Sequence, residues 1–417
     1  MTMDKHTTGQ KAIDRRTLLR GFGALGALTF ASRKGLAASL QVAPGLRPDA
    51  GSGTLVILQF SGGNDGLSMI VPHGDDAYYD VRPTIAHKPG DVHKIDDYRG
   101  FNPNLTALAK RYQSGEVAVI EGCGYEDPSK SHFKSMEIWH AADRDGRAAG
   151  EGWVGRLSSA VWKKAVDPNR IVHVGATTPY SLESEHHPAA SFVFPEGYRW
   201  LGNEGGLGSY EESDGTPKDS GSGSTLDALR GAYSAARESS SAVRKAALAY
   251  RPRVEYPNSG IGLALGTAAA LIQGGIGSRI ISVELGGFDT HNKQLTRHNG
   301  VMTELDEALA AFHADLKGTD RGEDTTLMAF SEFGRRVAEN GSKGTDHGTA
   351  GPMLVLGKGV KGGIYGKHPS LTKLDNGNLI HTTDFRQVYS EVAAQIFGVE
   401  SKELFGKQYK HLGFLPS

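Results

Sequence analysis

Four short stretches combine carboxylate, imidazole and glycine. They are Gly62-Gly63-Asn64-Asp65-Gly66, Gly286-Gly287-Phe288-Asp289-Thr290-His291, Ser331-Glu332-Phe333-Gly334-Arg335 and Gly344-Thr345-Asp346-His347-Gly348. The first three directly follow apolar, β-branched runs, and the fourth sits in a Gly-rich loop ahead of another. Carboxylates and imidazoles are the side chains that hold divalent metals. Asp65, Asp289, His291, Glu332 and His347 are therefore the candidate metal ligands, with Asn64, Arg335 and Asp346 as candidates to support them or to touch substrate. Asp289 and His291, two residues apart, point to the same side of an extended segment and so reach one ion. Asp346 beside His347 is suited to orienting a ligand.

Each motif also has a plainer reading. Asn64-Asp65-Gly66 has the composition of a turn. Asp289 and His291 fit a capped turn before the next helix. Glu332 ends an apolar run and needs a partner, because burying an unpaired charge is costly; Arg335, three residues on, supplies one. A loop histidine such as His347 is ordinarily solvated.

A nucleophile is suggested at Ser131-His132-Phe133, where a helix opens. A helix N-terminus stabilises an anion, and a nearby divalent cation lowers a hydroxyl pKa further. The competing reading makes Ser129 or Ser131 an ordinary N-cap. His132 fits a base, a ligand or a substrate contact. His140, His186 and His187 read as solvated.

These residues need elements to position them. Thr54 to Phe60 (TLVILQF) reads as a buried parallel strand ending on Gly-Gly. Further strands are expected at Glu116 to Ile120, Arg170 to Val174, Arg279 to Leu285, Thr325 to Phe330 and Met353 to Leu356. Helices are expected at Asn104 to Gln113, Ser131 to Ala142 (with Phe133, Met136 and Trp139 near one face), Thr225 to Tyr250, Gly260 to Gln273, His298 to Leu316 and Asp384 to Phe397. Asp384 would be the N-cap of the last. This alternation predicts an α/β fold with a mainly parallel central sheet and helices on both faces. Open sheets of this kind bind ligands outside the carboxyl ends of their strands, where the motifs fall.

The chain has 417 residues and a formal net charge of −1, so no global field draws it to nucleic acid. Its start reads as an address: Arg15-Arg16, the apolar run Gly21 to Ala31, and small residues at Gly35-Leu36-Ala37-Ala38 form a twin-arginine export signal. The run is too short and Gly-rich for a stable membrane span. The expected organisation is a signal peptide over 1–38, a linker over 39–53, and one α/β domain over 54–417 with a Gly/Ser-rich flexible insertion near 202–224. The twin-arginine translocase would be a partner during export, and the destination periplasmic or secreted. Cys123 is the only cysteine, so no internal disulfide forms; it reads as a buried, inert thiol.

Five stretches, FSGGNDGLSMIVP, KSHFKSMEIWH, ELGGFDTHNKQ, AFSEFGRRVAENGSKGTDHGTAGPMLVLG and HTTDFRQVY, closely resemble the bacterial domain-of-unknown-function family 1501. That family is grouped with the alkaline phosphatase and sulfatase superfamily. The resemblance implies metals at one edge of a sheet sandwiched by helices. By it, Asp65 matches the metal-binding Asp after the first strand, and Ser131 the nucleophile opening a helix. Asp289 and His291 fall where the superfamily has Asp-x-x-x-His, Glu332 where it has Asp-His, and His347 where its final His lies. The Asp-x-His here is shorter, and Glu332-Phe333 lacks an imidazole.

The resulting expectation is a metal-dependent hydrolase or transferase of small-molecule or polymer phosphate or sulfate esters. It would use Ser131 as nucleophile and one or two divalent ions (Mg, Ca or Mn by the carboxylate-rich ligand set, or Zn). The alternative is a non-catalytic secreted binding or assembly protein that keeps the fold. A redox role finds no cysteine cluster or dinucleotide fingerprint to rest on.

Overall fold

The computed structural model describes residues 53–143, 150–163, 167–199 and 225–416. The export signal, the linker up to residue 52 and the 202–224 insertion lie outside the described residues.

Among the described residues, nine strands make the main sheet: β1 Thr54–Phe60, β2 Val117–Gly124, β3 Ile171–Val174, β4 Ala190–Phe192, β5 Ile280–Leu285, β6 Thr325–Ser331, β7 Gly351–Leu356, β8 Gly363–Tyr365 and β9 Thr383–Asp384. Their order is β8-β2-β7-β6-β1-β5-β3-β4, with β9 pairing β2. All pairings are parallel except the two made by β7. The expected mainly parallel architecture is therefore present.

Register positions the site. Phe60 at the end of β1 pairs with Leu285 on β5 and with Ser331 on β6, so three strands stop in line. The residues that follow, Ser61, Gly286 and Glu332, emerge together. β7 runs the other way, so its incoming loop, which carries His347, arrives at this same edge.

Both sheet faces are covered, as a parallel sheet requires. Side chains of β1 alternate: Val56, Leu58 and Phe60 join one cluster, Leu55 and Ile57 the other. The first cluster packs α1 Thr106–Gln113, with α4 Thr225–Ala249, α5 Gly260–Gly274 and α6 Gln294–Leu316; the second packs α2 His132–Ala141, α3 Trp153–Trp162 and α7 Phe385–Phe397. Helix α2 is anchored by Trp139, whose ring stacks on Phe385 at 4.1 Å and on Phe330 at 5.5 Å. Such pairs add about 0.5–1.5 kcal/mol each beyond area burial, and they fix the helix whose start carries Ser131. Asp384 caps α7 in a reciprocal capping box with Gln387, as expected.

Four expectations are corrected. Phe133 does not share the buried face of Trp139 but is 91% exposed. Helix α6 begins a turn before His298, at Gln294, because Lys293 turns left-handed (φ 47°) and starts it without a side-chain cap. His140 and His187 are buried rather than solvated. His140 Nε2 lies 2.6 Å from Gln59 Oε1, and burial pushes its imidazole down to about 4. Cys123 is buried, and desolvation raises its thiol. No helix among the described residues is long and apolar enough to cross a membrane.

Candidate metal centre

The loops after β1, β5 and β6 meet through Arg335. Its buried guanidinium donates to the carbonyls of Gly63 (2.7 Å), Gly62, Phe288 (3.1 Å) and Thr345 (3.0 Å), and to Asp289 Oδ1 (2.6 Å). One planar cation thus ties together three strand ends and the loop before β7. Glycine makes the approach possible: at Gly62 (φ 118°) a Cβ would lie 2.5 Å from the Asp289 nitrogen. Arg335 and His347 also form an isolated antiparallel bridge, so the His347 loop is held in register.

Three imidazoles surround Asp289 Oδ1. Nε2 of His291 lies 3.1 Å away, Nε2 of His347 3.3 Å and Nε2 of His132 3.7 Å. Ligand atoms of His132, Asp289 and His347 fall within 4.8 Å of one another, a grouping able to hold a metal ion. His291 adjoins it, its Nε2 2.9 Å from that of His347.

Each imidazole is held from behind by an acceptor. Nδ1 of His132 faces Glu332 Oε1 at 2.8 Å, Nδ1 of His347 the Lys130 carbonyl at 2.8 Å, and Nδ1 of His291 Asp346 Oδ1 at 3.3 Å. A carbonyl or a carboxylate can only accept, so each Nδ1 carries the proton. In the neutral ring Nε2 then presents its lone pair inward. Two lone pairs 2.9 Å apart repel, and a cation between them removes the conflict. Histidine tied back to a carboxylate or carbonyl is the arrangement that orients metal ligands. The donor set fits a divalent ion.

The charges agree. Burial works to raise the Asp289 carboxyl, but the hydrogen bond and charge of Arg335 hold it low, so it stays ionised. Burial lowers His347 and outweighs the opposing pull of the Lys130 carbonyl, which favours the neutral ring. The Glu332 hydrogen bond raises His132. Glu332→Gln is expected to lower the His132 pKa in the metal-free protein, read by NMR titration. It should also weaken metal affinity roughly 10–100-fold, the usual cost of losing such a support.

The other anticipated ligands lie elsewhere. Glu332 is buried behind His132: burial raises its carboxyl, and hydrogen bonds from His132, Gly62 N (2.9 Å) and Ser331 Oγ (2.9 Å) more than offset this. Its partner is thus not Arg335, which pairs with Asp289. Asp65 is fully buried in a two-pronged pair with Arg82, at 2.7 and 3.1 Å, and also accepts from Leu67 N, Ser68 and Gln294. Asn64 turns to His298 and Met69. Asp346 accepts from His291 and Asn340. His132, read from the sequence mainly as a catalytic group, stands among the inward-facing donors. Lys130, Arg82 and Gln294 were missed; Lys130 acts through its carbonyl, which no residue type advertises.

Ser131 is exposed at the N-cap of α2, yet its hydroxyl makes no cap hydrogen bond. Its backbone N–H donates to Ser129 Oγ at 3.2 Å. Ser131 is bracketed by Lys130, whose carbonyl holds His347, and by His132.

Fold and site together define an α/β protein with a histidine-rich candidate metal centre at the carboxyl edge of its sheet. Residues 232–404 match the model of the family described as "Protein of unknown function (DUF1501)". No curated protein matches. Among solved structures, the chain is similar to a protein in the alkaline phosphatase superfamily from Vibrio parahaemolyticus, at 13% identity and TM-score 0.33, over 86% of this chain and 72% of that one. It is similar to a putative sulfatase from Bacteroides thetaiotaomicron VPI-5482, at 10% identity and TM-score 0.34, over 75% and 66%. It is also similar to alkaline phosphatase from the Antarctic bacterium TAB5, at 11% identity and TM-score 0.29, over 75% and 93%.

Proposed function

We propose that this protein is an exported metal-dependent hydrolase or transferase of phosphate or sulfate esters, with Ser131 as nucleophile. The observation that carries the reading is the convergence of His132, His291 and His347 on Asp289, each ring tied back through Nδ1. Three imidazoles and one carboxylate suit zinc better than magnesium or calcium, unlike the carboxylate-rich set expected from sequence. With Asp65 and Glu332 committed to other partners, one ion per chain is the expected stoichiometry.

A bound ion would neutralise charge on the ester and favour an ionised hydroxyl nearby. The chain supplies the rest. The first-turn N–H groups of α2, a helix of ten residues, favour an anionic group at that end. Ser131 Oγ, its proton given up to solvent, forms the bond to phosphorus or sulfur as the bond to the ester oxygen breaks, and that oxygen departs with the electron pair and takes a proton from water. A water molecule, or an acceptor hydroxyl in a transferase, then bonds to phosphorus or sulfur and displaces Ser131 Oγ, which leaves with the electron pair and takes up a proton in place of the one the attacking group loses. Export rests on the Arg15-Arg16 segment.

Elemental analysis of the purified protein and a panel of aryl phosphate, phosphodiester and aryl sulfate test the proposal. Ser131→Ala is expected to keep its ion and to lose turnover by roughly 10³-fold or more. An ion retained without Ser131-dependent turnover on any of the three esters would favour the binding or assembly protein instead.

A further inference from the structure

Gln294 is fully buried at the first turn of α6 and makes no hydrogen bond to the side chains of His132, Asp289, His291 or His347, yet it stands between the loops that carry Asp289, His291 and His347. Its Oε1 accepts from Thr290 Oγ1 at 3.0 Å and from Thr345 Oγ1 at 2.5 Å. Thr290 lies between Asp289 and His291, and Thr345 is two residues before His347. Its Nε2 donates to Asp65 Oδ2 and lies 3.3 Å from Ser68 Oγ. The amide has one orientation that fits, because a carboxylate only accepts and the two threonines must then donate. Backbone bonds run in parallel: Thr345 N to Thr290 O at 3.2 Å and Gln294 N to Lys343 O at 2.8 Å. Behind the amide, Asp65 is fixed by Arg82, which reaches the carbonyls of Val337 (2.7 Å) and Arg336 (3.0 Å).

We propose that Gln294 is a positioning residue of the metal centre: its amide, braced on the Asp65–Arg82 pair, sets the spacing between the Asp289/His291 loop and the His347 loop. The inference rests on the metal reading above and deepens it. One carbonyl oxygen holds a hydroxyl from each loop, so the separation of the imidazoles of His291 and His347 is fixed from beneath. A ligand set needs its supports held within fractions of an ångström to keep affinity. Asp65 thereby serves the centre from a distance.

The test is calorimetric titration of the metal-free full chain with Zn²⁺, beside thermal melts of the same metal-free samples. Gln294→Met, which keeps the volume and removes the amide, is expected to weaken Zn²⁺ binding roughly 10–100-fold. Thr345→Val, a milder change that keeps the proposal testable should Gln294→Met fail to fold, is expected to weaken it by a smaller factor. Asp306→Ala removes, further along α6 and outside this network, the carboxylate that accepts from Ala107 N at 2.9 Å and Leu108 N at 2.8 Å; it should lower the melting temperature and leave Zn²⁺ affinity unchanged. Gln294→Met and Thr345→Val that melt lower but bind Zn²⁺ as tightly as wild type would overturn the positioning role. Equal affinity losses in Asp306→Ala and Thr345→Val would overturn it too. Absence of Zn²⁺ binding by the wild-type chain would instead refute the metal reading on which it rests.

Discussion

Replacing His347 with alanine is expected to abolish metal binding while leaving the metal-free protein almost as stable as wild type. The ring is partly exposed; its loss leaves the Lys130 carbonyl to be rehydrated and uncovers part of the Phe333 ring, whose centroid lies 4.9 Å away, an effect of about 1 kcal/mol. The loss to the centre is larger, because Nε2 of His347 faces both Asp289 Oδ1 at 3.3 Å and His291 Nε2 at 2.9 Å. Removing a ligand must exceed the roughly 10–100-fold cost of removing a support. A ligand present at a hundred times its Kd stabilises the folded state by about 2.7 kcal/mol. At that same concentration, a variant binding at least 100-fold more weakly gains about 0.4 kcal/mol or less. Melts with and without Zn²⁺ read this directly. A variant that melts several degrees lower without metal, yet gains as much from Zn²⁺ as wild type, would remove His347 from the centre.

Arg82→Met is expected to cost about 3–5 kcal/mol at neutral pH, the range found when a buried ion pair loses one partner. Both side chains are sealed from solvent, and Arg82 grips Asp65 through two nitrogens. The pH dependence separates this from simple loss of packing. In the wild-type protein burial works to raise the Asp65 carboxyl, but Arg82 outweighs it and the pKa is lowered. The group's stabilising contribution is thus complete above the ordinary carboxylate range and lost as pH falls through the lowered folded value. Without Arg82, burial, the largest of the effects, is opposed only by His298 and by the hydrogen bonds from Leu67 N, Ser68 and Gln294; the folded pKa is expected to rise above the unfolded one, so that the folded state takes up a proton. Stability of the variant then increases as pH falls towards the ordinary carboxylate value near 4. The gap between wild type and variant should be widest at neutral pH and narrow between about pH 7 and pH 4, as followed by urea unfolding at several pH values. A gap constant across that range would show that the pair's charge is not what Arg82 supplies.

Much of the scaffold was legible because strands buried on both faces have nowhere to place polar residues. TLVILQF and TTLMAF announce β1 and β6, and the glycines and acids that follow announce their ends. Short elements whose pairing depends on distant neighbours, such as β4, β8 and β9, left no such mark. At the centre, sequence could rank residue types but not directions. Asp65 and Asp289 both follow a Gly-Gly pair, yet one turns inward to Arg82 and the other faces the imidazoles. Which way each turns is decided by Arg82 and Arg335, residues 17 and 46 positions away in the chain. His132 and Glu332 are separated by 200 positions; their pairing follows from the register of β6 and the seating of α2, neither of which is a local property. His140 likewise looked like one more surface histidine until Gln59, on β1, closed over it.

The reversed strand β7 has a practical corollary. Because it delivers its incoming loop to the chemistry, its outgoing turn, through the exposed residues Lys358 and Gly359, leaves at the far rim of the molecule. That rim is where an affinity tag, a fluorophore or a tether to a solid support could be attached without shadowing the mouth of the centre. It offers a handle for immobilising the protein with its working edge facing outward.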